Sequence, residues 1–373
     1  MTSHYWNEHK DLTPIRQLRS VYRFLYRHSS LARVRHRLSL EWAFLIHRSE
    51  LRRRLEQAGV RAMQRQVIVI SQVVHLGDIV ACEPVVRKVR REMPKSFIVL
   101  ALHRNYRALA DANAEIDHVL PVSCVTEWAR FAGSGLFDRI IDLNIDGRVC
   151  EICGVPWHKP GGNRGITVES YYSSGSLLKA YCESAGLDAP TDGPRIETPP
   201  DDIATVNRQI LPERFVVLHA DSIEKERELP VTVWRQIIFY INNHWRLPVI
   251  EIGLKTIVLS PNDPANRSLC GQLSILQSAE VIRRCVLFLG IDSGPAHLAN
   301  ATGAFGIIAL GHYHNFRRYM PYSGDYANGV RCELLYHDGP VSEMPVTRII
   351  EAIDRRLSAV MGSRLNRSSS ADS

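Results

Sequence analysis

Asp292-Ser293-Gly294-Pro295 is the segment of this chain best suited to chemistry. It follows the apolar run 288–291 and opens a helical pattern, so it reads as a turn from a buried strand into a helix. Pro295 fits the first helical position, where its missing N–H costs nothing. Gly294 allows close approach to the backbone, and the free N–H groups of a helix start attract anions. A phosphorylated ligand is expected here, with His297 in the first turn either as a hydrogen-bond donor or as a packing residue.

Two other loops occupy comparable positions after strand-like runs. Leu76-Gly77-Asp78 is the first; Asp78 can cap the helix that it opens or, at the rim of a cleft, accept a proton from a hydroxyl. The second, 221–229, carries Ser222, Lys225 and Arg227. Arg offers a diphosphate a planar fork and Lys a point charge; a solvated, mixed-charge loop fits the same residues. Cys150-x-x-Cys153 suits zinc or redox chemistry, but no second pair accompanies it in the sequence. His312 and His314 have no evident third ligand, so no metal site is expected. The chain has no Walker A sequence and no Gly-x-Gly-x-x-Gly after a strand, which argues against P-loop nucleotide hydrolases and dinucleotide dehydrogenases.

The elements that must position these loops alternate. Strands are expected at 66–71, 97–102, 118–122 and 139–143, with helices at 79–91, 105–112 and 170–185. A linker rich in Pro and Asp follows at 188–202. Strands then recur at 215–220, 248–253, 285–291 and 306–310, with helices at 230–243, 278–284, 295–301 and 346–360. Such alternation marks an α/β protein with a parallel, doubly wound sheet in each half. Ligands then sit outside the carboxyl ends of the strands, in a cleft between the halves. The expected divisions are a basic helical extension at 1–64, a first domain at 65–200, a second at 201–361, and a polar tail at 362–373 read as disordered.

The 373 residues are 45% hydrophobic and 23% charged, in keeping with about two ordinary globular domains. No apolar run is long enough to span a membrane. The N-terminus lacks the apolar core and cleavage site of a secretory signal. Eight Cys scattered among strand-like and helix-like runs fit reduced core thiols, so a cytoplasmic protein is expected. The net charge of +7 is uneven: residues 1–65 hold fourteen Lys and Arg against five Asp and Glu. Over 15–57, basic and apolar groups alternate at helical spacing, as in helices that lie on anionic membranes. Residues 1–60 are expected to meet an anionic membrane surface; a helical hairpin packed on the core and a disordered arm are the alternatives. No nucleic-acid partner is expected, because the remainder is slightly acidic and carries no recognition motif.

Ser71…Leu76-Gly77-Asp78-Ile79-Val80 and Ile291-Asp292-Ser293-Gly294-Pro295-Ala296-His297-Leu298-Ala299 occur in this order. Together they resemble glycosyltransferase family 9, the lipopolysaccharide heptosyltransferase-like enzymes, over residues 65–360. The resemblance implies a GT-B fold, in which two Rossmann-like domains face a cleft. The first would take the acceptor and the second a nucleotide-sugar. It implies an inverting transfer with no bound metal and no cofactor beyond that nucleotide-sugar co-substrate. Asp78 matches the catalytic base. Asp292, Ser293 and Gly294 match the donor-binding turn, with Pro295, His297, Ser222, Lys225 and Arg227 as its phosphate-side companions. His75 and Gly77 fall on the acceptor side.

Three positions depart from the family pattern. Arg227 stands where Lys is usual, Val74 and His75 where two Ser are usual, and Gly311-His-Tyr-His314 where Phe-Gly-Pro-Thr is usual. The implied acceptor is lipopolysaccharide or another cell-surface glycan, in part lipid-linked. That places the protein at the inner face of a bacterial inner membrane. A nucleotide-sugar epimerase on the same fold, which needs further acidic residues in the cleft, and a non-catalytic membrane-associated binding protein are the alternatives.

Overall fold

The computed structural model describes residues 30–150, 153–159, 161–260 and 263–368. Its first half contains α1 (Ser30–Gln57), β1 (Val67–Gln72), α2 (Leu76–Ala81), α3 (Glu83–Glu92), β2 (Phe97–His103), α4 (Arg107–Asp111), β3 (His118–Val122), α5 (Val125–Ala132), β4 (Arg139–Asp142) and α6 (Leu177–Ser184). The strands form a parallel sheet of order β3-β2-β1-β4. All six residues of β1 are buried, as a strand covered on both faces requires.

The second half contains α7 (Pro200–Asn207), β5 (Val216–His219), α8 (Val231–Tyr240), β6 (Val249–Glu251), β7 (Arg267–Ser268), α9 (Ile275–Arg284), β8 (Leu287–Ile291), α10 (Gly294–Thr302), β9 (Gly306–Leu310), β10 (Cys332–Tyr336) and α11 (Val346–Ser368). Its sheet is also parallel, in the order β10-β9-β8-β5-β6-β7. The chain runs outward from β5 through β6 to β7, then crosses back to β8 and continues the other way. The switch point therefore lies between β5 and β8, and ligands of open α/β sheets bind at such points.

Three apolar layers cover the two sheets. Leu40, Leu51, Trp128 and Phe131 of α1 and α5 cover one face of the first sheet. Ile237, Ala352 and Leu357 of α8 and α11 cover the outer face of the second. Between the sheets runs a single continuous cluster, from Ile68 and Val85 through Leu177 and Ala296 to Phe288 and Ile308. The halves are thus joined by core and do not simply face each other across water.

The expected helix at 79–91 is two helices. Pro84 has no N–H to continue the first, so the chain re-starts at Glu83 with the proline in the opening turn. This leaves α2 as a six-residue element that does little except carry Asp78. The last helix continues to Ser368, into the segment read from the sequence as a disordered tail. Of the basic extension, α1 is described and residues 1–29 lie outside the described residues.

α1 is not simply amphipathic. Leu40 and Leu51 are buried and Phe44 packs beside them, while Val34, Leu38, Trp42, Leu45 and Ile46 are exposed on the opposite side. One face satisfies the packed-on-core alternative. The other leaves an apolar stripe in solvent.

Candidate active site

Asp78 stands just beyond the carboxyl end of β1, half-buried. One carboxylate oxygen accepts the backbone N–H of His75 at 3.2 Å, the capping bond expected of an acid in a first helical turn. The other accepts the hydroxyl of Tyr181, from the middle of α6. Burial alone would raise the pKa of Asp78. Arg148, His75, the Tyr181 hydrogen bond and His297 outweigh it and hold the pKa below the ordinary carboxylate value. Burial pushes Tyr181 well above its own ordinary value, so its hydroxyl keeps the proton that it donates. The result is an ionised, oriented carboxylate, half-buried at the end of β1.

The second motif is packed directly against the first. A Cβ built on Gly77 would lie 2.7 Å from Cδ2 of His297, and one built on Gly294 would lie 2.9 Å from Cδ2 of Leu76. Each motif's glycine makes room for the other motif's side chain. The space at Gly294, read from the sequence as an approach path for an anion, is filled by Leu76. The first turn of α10 also offers fewer donors than expected. Pro295 has none, and the N–H groups of Ala296 and His297 turn back to the Ser293 carbonyl at 3.1 and 3.4 Å. Ser293 itself, Gly294 and Pro295 are part-exposed. The Ser293 hydroxyl meets Nδ1 of His219 at 3.1 Å, so the ends of β5 and β8 are linked across the switch point.

His297 is buried and its Nδ1 has no hydrogen-bond partner. Burial lowers its pKa, against the pull of Asp292 and Asp78, so the ring is neutral at pH 7. His219 is also held neutral, its pKa pushed down to about 4 by burial against the opposing pull of Asp221.

The cations of the 221–229 loop are already engaged. Arg227 donates to Asp292 at 3.0 Å, and its guanidinium lies 3.6 Å from the centre of the Tyr313 ring. Tyr319 donates a second hydrogen bond to Asp292 at 3.0 Å. Asp292 is 2% exposed and therefore serves as the anchor of this knot, with Ser293 as the residue facing outward. Lys225 lies 2.8 Å from Glu228 and 3.5 Å from Asp221. Ser222 receives the N–H of Glu224 on its hydroxyl and gives its own N–H to Glu228. Tyr313 belongs to the segment 311–314 that departs from the family pattern. The departure supplies the ring that stacks on Arg227, and a flat guanidinium suits that stack where an ammonium would not.

Of the residues expected from sequence, Gly77, Asp78, Gly294, Pro295 and His297 are brought together. Arg227 and Asp292 form a neighbouring pair, and His75 is exposed at the rim. Tyr181, Arg148 and His219 were not expected. Tyr181 looks like any core residue of a helix. His219 had one legible signal, a polar residue at the carboxyl end of an apolar strand. A mostly apolar cavity of about 190 Å³, lined by Ile79, Leu100, Leu109 and Ile116 among others, lies on the far side of α2 and is distinct from this site.

Two doubly wound domains joined through a shared core, with their switch-point loops in contact, define the GT-B class. The chain has this fold. Residues 254–333 match the family model described as glycosyltransferase family 9 (heptosyltransferase), a span that contains the Asp292–His297 motif. Among solved structures, the chain is similar to the glycosyl transferase family 9 protein from Veillonella parvula DSM 2008, at 17% identity and a TM-score of 0.63, covering 79% of this chain and 98% of that one. It is similar to the E. coli ADP-heptose lps heptosyltransferase II, at 14% identity and a TM-score of 0.57, covering 79% and 99%. It is also similar to the E. coli heptosyltransferase WaaC solved with ADP, at 12% identity and a TM-score of 0.51, covering 78% and 98%. No curated protein matches the chain by sequence alone. The resemblance to glycosyltransferase family 9 read from the two motifs therefore stands.

Proposed function

We propose that the chain is an inverting glycosyltransferase, moving a sugar from a nucleotide-sugar to a hydroxyl of a glycan or lipid-linked glycan acceptor. The observation that carries this reading is the Asp78 carboxylate: ionised, fixed by Tyr181 and the His75 N–H, and set beside the His297 motif of the second domain. In a displacement at the anomeric carbon, the acceptor oxygen attacks as Asp78 takes its proton, and the nucleotide diphosphate leaves from the opposite face. A carboxylate suits this role because it need only collect a proton that becomes acidic as the bond forms.

The donor would lie over Ser293, Gly294 and Pro295 with its phosphates toward the start of α10, where the helix dipole favours negative charge. Arg227 would act mainly by fixing the loop through Asp292 and Tyr313, with Lys225 and Ser222 at the outer edge. The E. coli structure carrying ADP supports an adenine nucleotide as the first donor to try. His75, exposed beside the base, would meet the acceptor.

The stripe Val34, Leu38, Trp42, Leu45 and Ile46, flanked by Arg35, Arg37, Arg52 and Arg53, supports attachment to an anionic membrane surface. Among the described residues no helix is long and apolar enough to cross a membrane, so the protein would sit on the surface, at the inner face of the membrane. A calorimetric screen of nucleotide-sugars tests the central reading. Saturable binding of one of them supports it, and binding of none counts against it.

A further inference from the structure

The Cys-x-x-Cys motif, unabsorbed by the transfer reaction, finds its missing partners in the fold. Cys150 and Cys153 lie at the tip of a small hairpin whose arms pair at Val149 and Pro156. Gly147 and Trp157, then Trp157 and Arg148, close its base with backbone bonds of 2.8 Å each. The tip packs against Cys124, which immediately precedes α5, and against His36 of α1. One ligand atom from each of His36, Cys124, Cys150 and Cys153 lies within 4.8 Å of all the others. Nε2 of His36 and Sγ of Cys124 are 4.0 Å apart. Ligand atoms about 2.3 Å from a tetrahedral zinc stand roughly 3.8 Å from each other, so the cluster needs only a small contraction to close on an ion.

We propose that these four residues form a closed Cys3His site for zinc, a structural metal centre that takes no part in the transfer chemistry itself. Two further observations favour metal at these thiols. The backbone N–H of Cys153 donates to the sulfur of Cys150 at 3.4 Å, and the chain turns at Gly154 with φ +65°. A donor aimed at a sulfur suits a thiolate, and thiolates are what a metal requires. The buried hydroxyl of Thr126 lies beside the Cys153 sulfur, placed to donate to a second thiolate.

Four protein ligands leave no open position, as in structural rather than catalytic zinc sites. The consequence is mechanical. The ion would tie α1, the start of α5 and the hairpin into one unit. That hairpin carries Arg148, the cation nearest in effect to Asp78, and Trp157, whose indole donates to buried Asp142 at 2.8 Å. The Cys-x-x-Cys motif was set aside for want of a second pair because only half of the ligand set is local in sequence; Cys124 and His36 come from 26 and 114 residues upstream of Cys150.

The test is elemental analysis of the full-length chain, purified in reducing buffer without a polyhistidine tag. About one zinc per chain is expected for the unaltered protein. Cys150→Ser with Cys153→Ser should lower it at least tenfold, and Cys270→Ser with Cys285→Ser should leave it unchanged. A second measurement does not depend on a variant folding: cobalt(II) added to chelator-stripped protein should give the thiolate charge-transfer and tetrahedral ligand-field bands. Zinc retained in full by the Cys150/Cys153 double variant would overturn the proposal. So would unaltered protein with negligible zinc and no cobalt spectrum, or a disulfide between Cys150 and Cys153.

Discussion

The imidazole of His297 occupies the space that a side chain at Gly77 would need, with Cδ2 at 2.7 Å from the position of that Cβ. Leu76 stands in the same relation to Gly294. The two motifs are therefore interlocked, and each glycine is explained by the residue it admits. Gly77→Ala should destabilise the protein by about 1–3 kcal/mol, the usual cost of overpacking. His297→Ala should also destabilise, by leaving a cavity. The double variant should cost clearly less than the two single changes together, because removing the ring makes room for the methyl group. Urea unfolding midpoints for the four proteins check this, and strict additivity would contradict it.

The knot around Asp292 makes a second prediction. Arg227→Ala strands a buried carboxylate with Tyr319 as its remaining partner, and such losses cost about 3–5 kcal/mol. Arg227→Met combined with Asp292→Asn removes both charges and should be markedly less harmful. Arg227→Lys keeps the charge but loses the stack on Tyr313, so its stability should fall between the unaltered protein and Arg227→Ala. Thermal unfolding of the set orders them; an Arg227→Ala protein as stable as the unaltered one would remove Asp292 from its anchoring role.

Much of this was legible in the sequence, and the rest was hidden for definable reasons. Both sheets and their parallel strands follow from β-branched runs that are buried on two sides, and 118–122 and 306–310 match the expected bounds. The Asp78 and Asp292 loops declare themselves because strand, Gly and acid occur together. Arg148 and Tyr181 could not be found in this way. They reach Asp78 only through tertiary packing, from a Gly- and Pro-rich segment without period and from the buried face of α6. The role of Gly294 was misread for the same reason: a glycine records that something comes close, and the sequence does not say whether it is a ligand or Leu76.

Stability should fall in acid through the buried histidines. His219 titrates at about 4 when folded and near 6.5 when unfolded. The unfolded chain therefore binds the extra proton first, and stability rises with pH between these values. The effect is complete above pH 6.5 and lost progressively toward pH 4, by about 3 kcal/mol at 1.36 kcal/mol per pKa unit. His297, also depressed by burial, acts in the same direction. His219→Gln should flatten the acid limb of a stability-against-pH curve measured by chemical denaturation; an unchanged limb would mean that His219 is not held neutral.

Membrane attachment is better tested on the surface of α1 than by truncation. Removing residues 1–60 would also strip Leu40 and Leu51 from the core. Leu38→Glu with Trp42→Glu alters only exposed positions, at 66% and 69% exposure. The double variant should keep its unfolding temperature and lose sedimentation with anionic liposomes at least tenfold, because apolar insertion and charge attraction act together. Unchanged sedimentation would rule out this stripe as the membrane contact.

The central claim is that Asp78 removes the acceptor proton while the second domain holds the donor. Asp78→Asn keeps the shape and the cap and removes the base. With the nucleotide-sugar found by the binding screen, the measurement is transfer of labelled sugar into lipid-extractable glycan, beside donor affinity by calorimetry. The account predicts donor affinity within about threefold of the unaltered protein and transfer lowered by about 10²–10⁴. Tyr181→Phe should keep most of the transfer but move its acid limb to higher pH, because the lost hydrogen bond lets the Asp78 pKa rise. Transfer by Asp78→Asn at a near-normal rate would contradict the assignment.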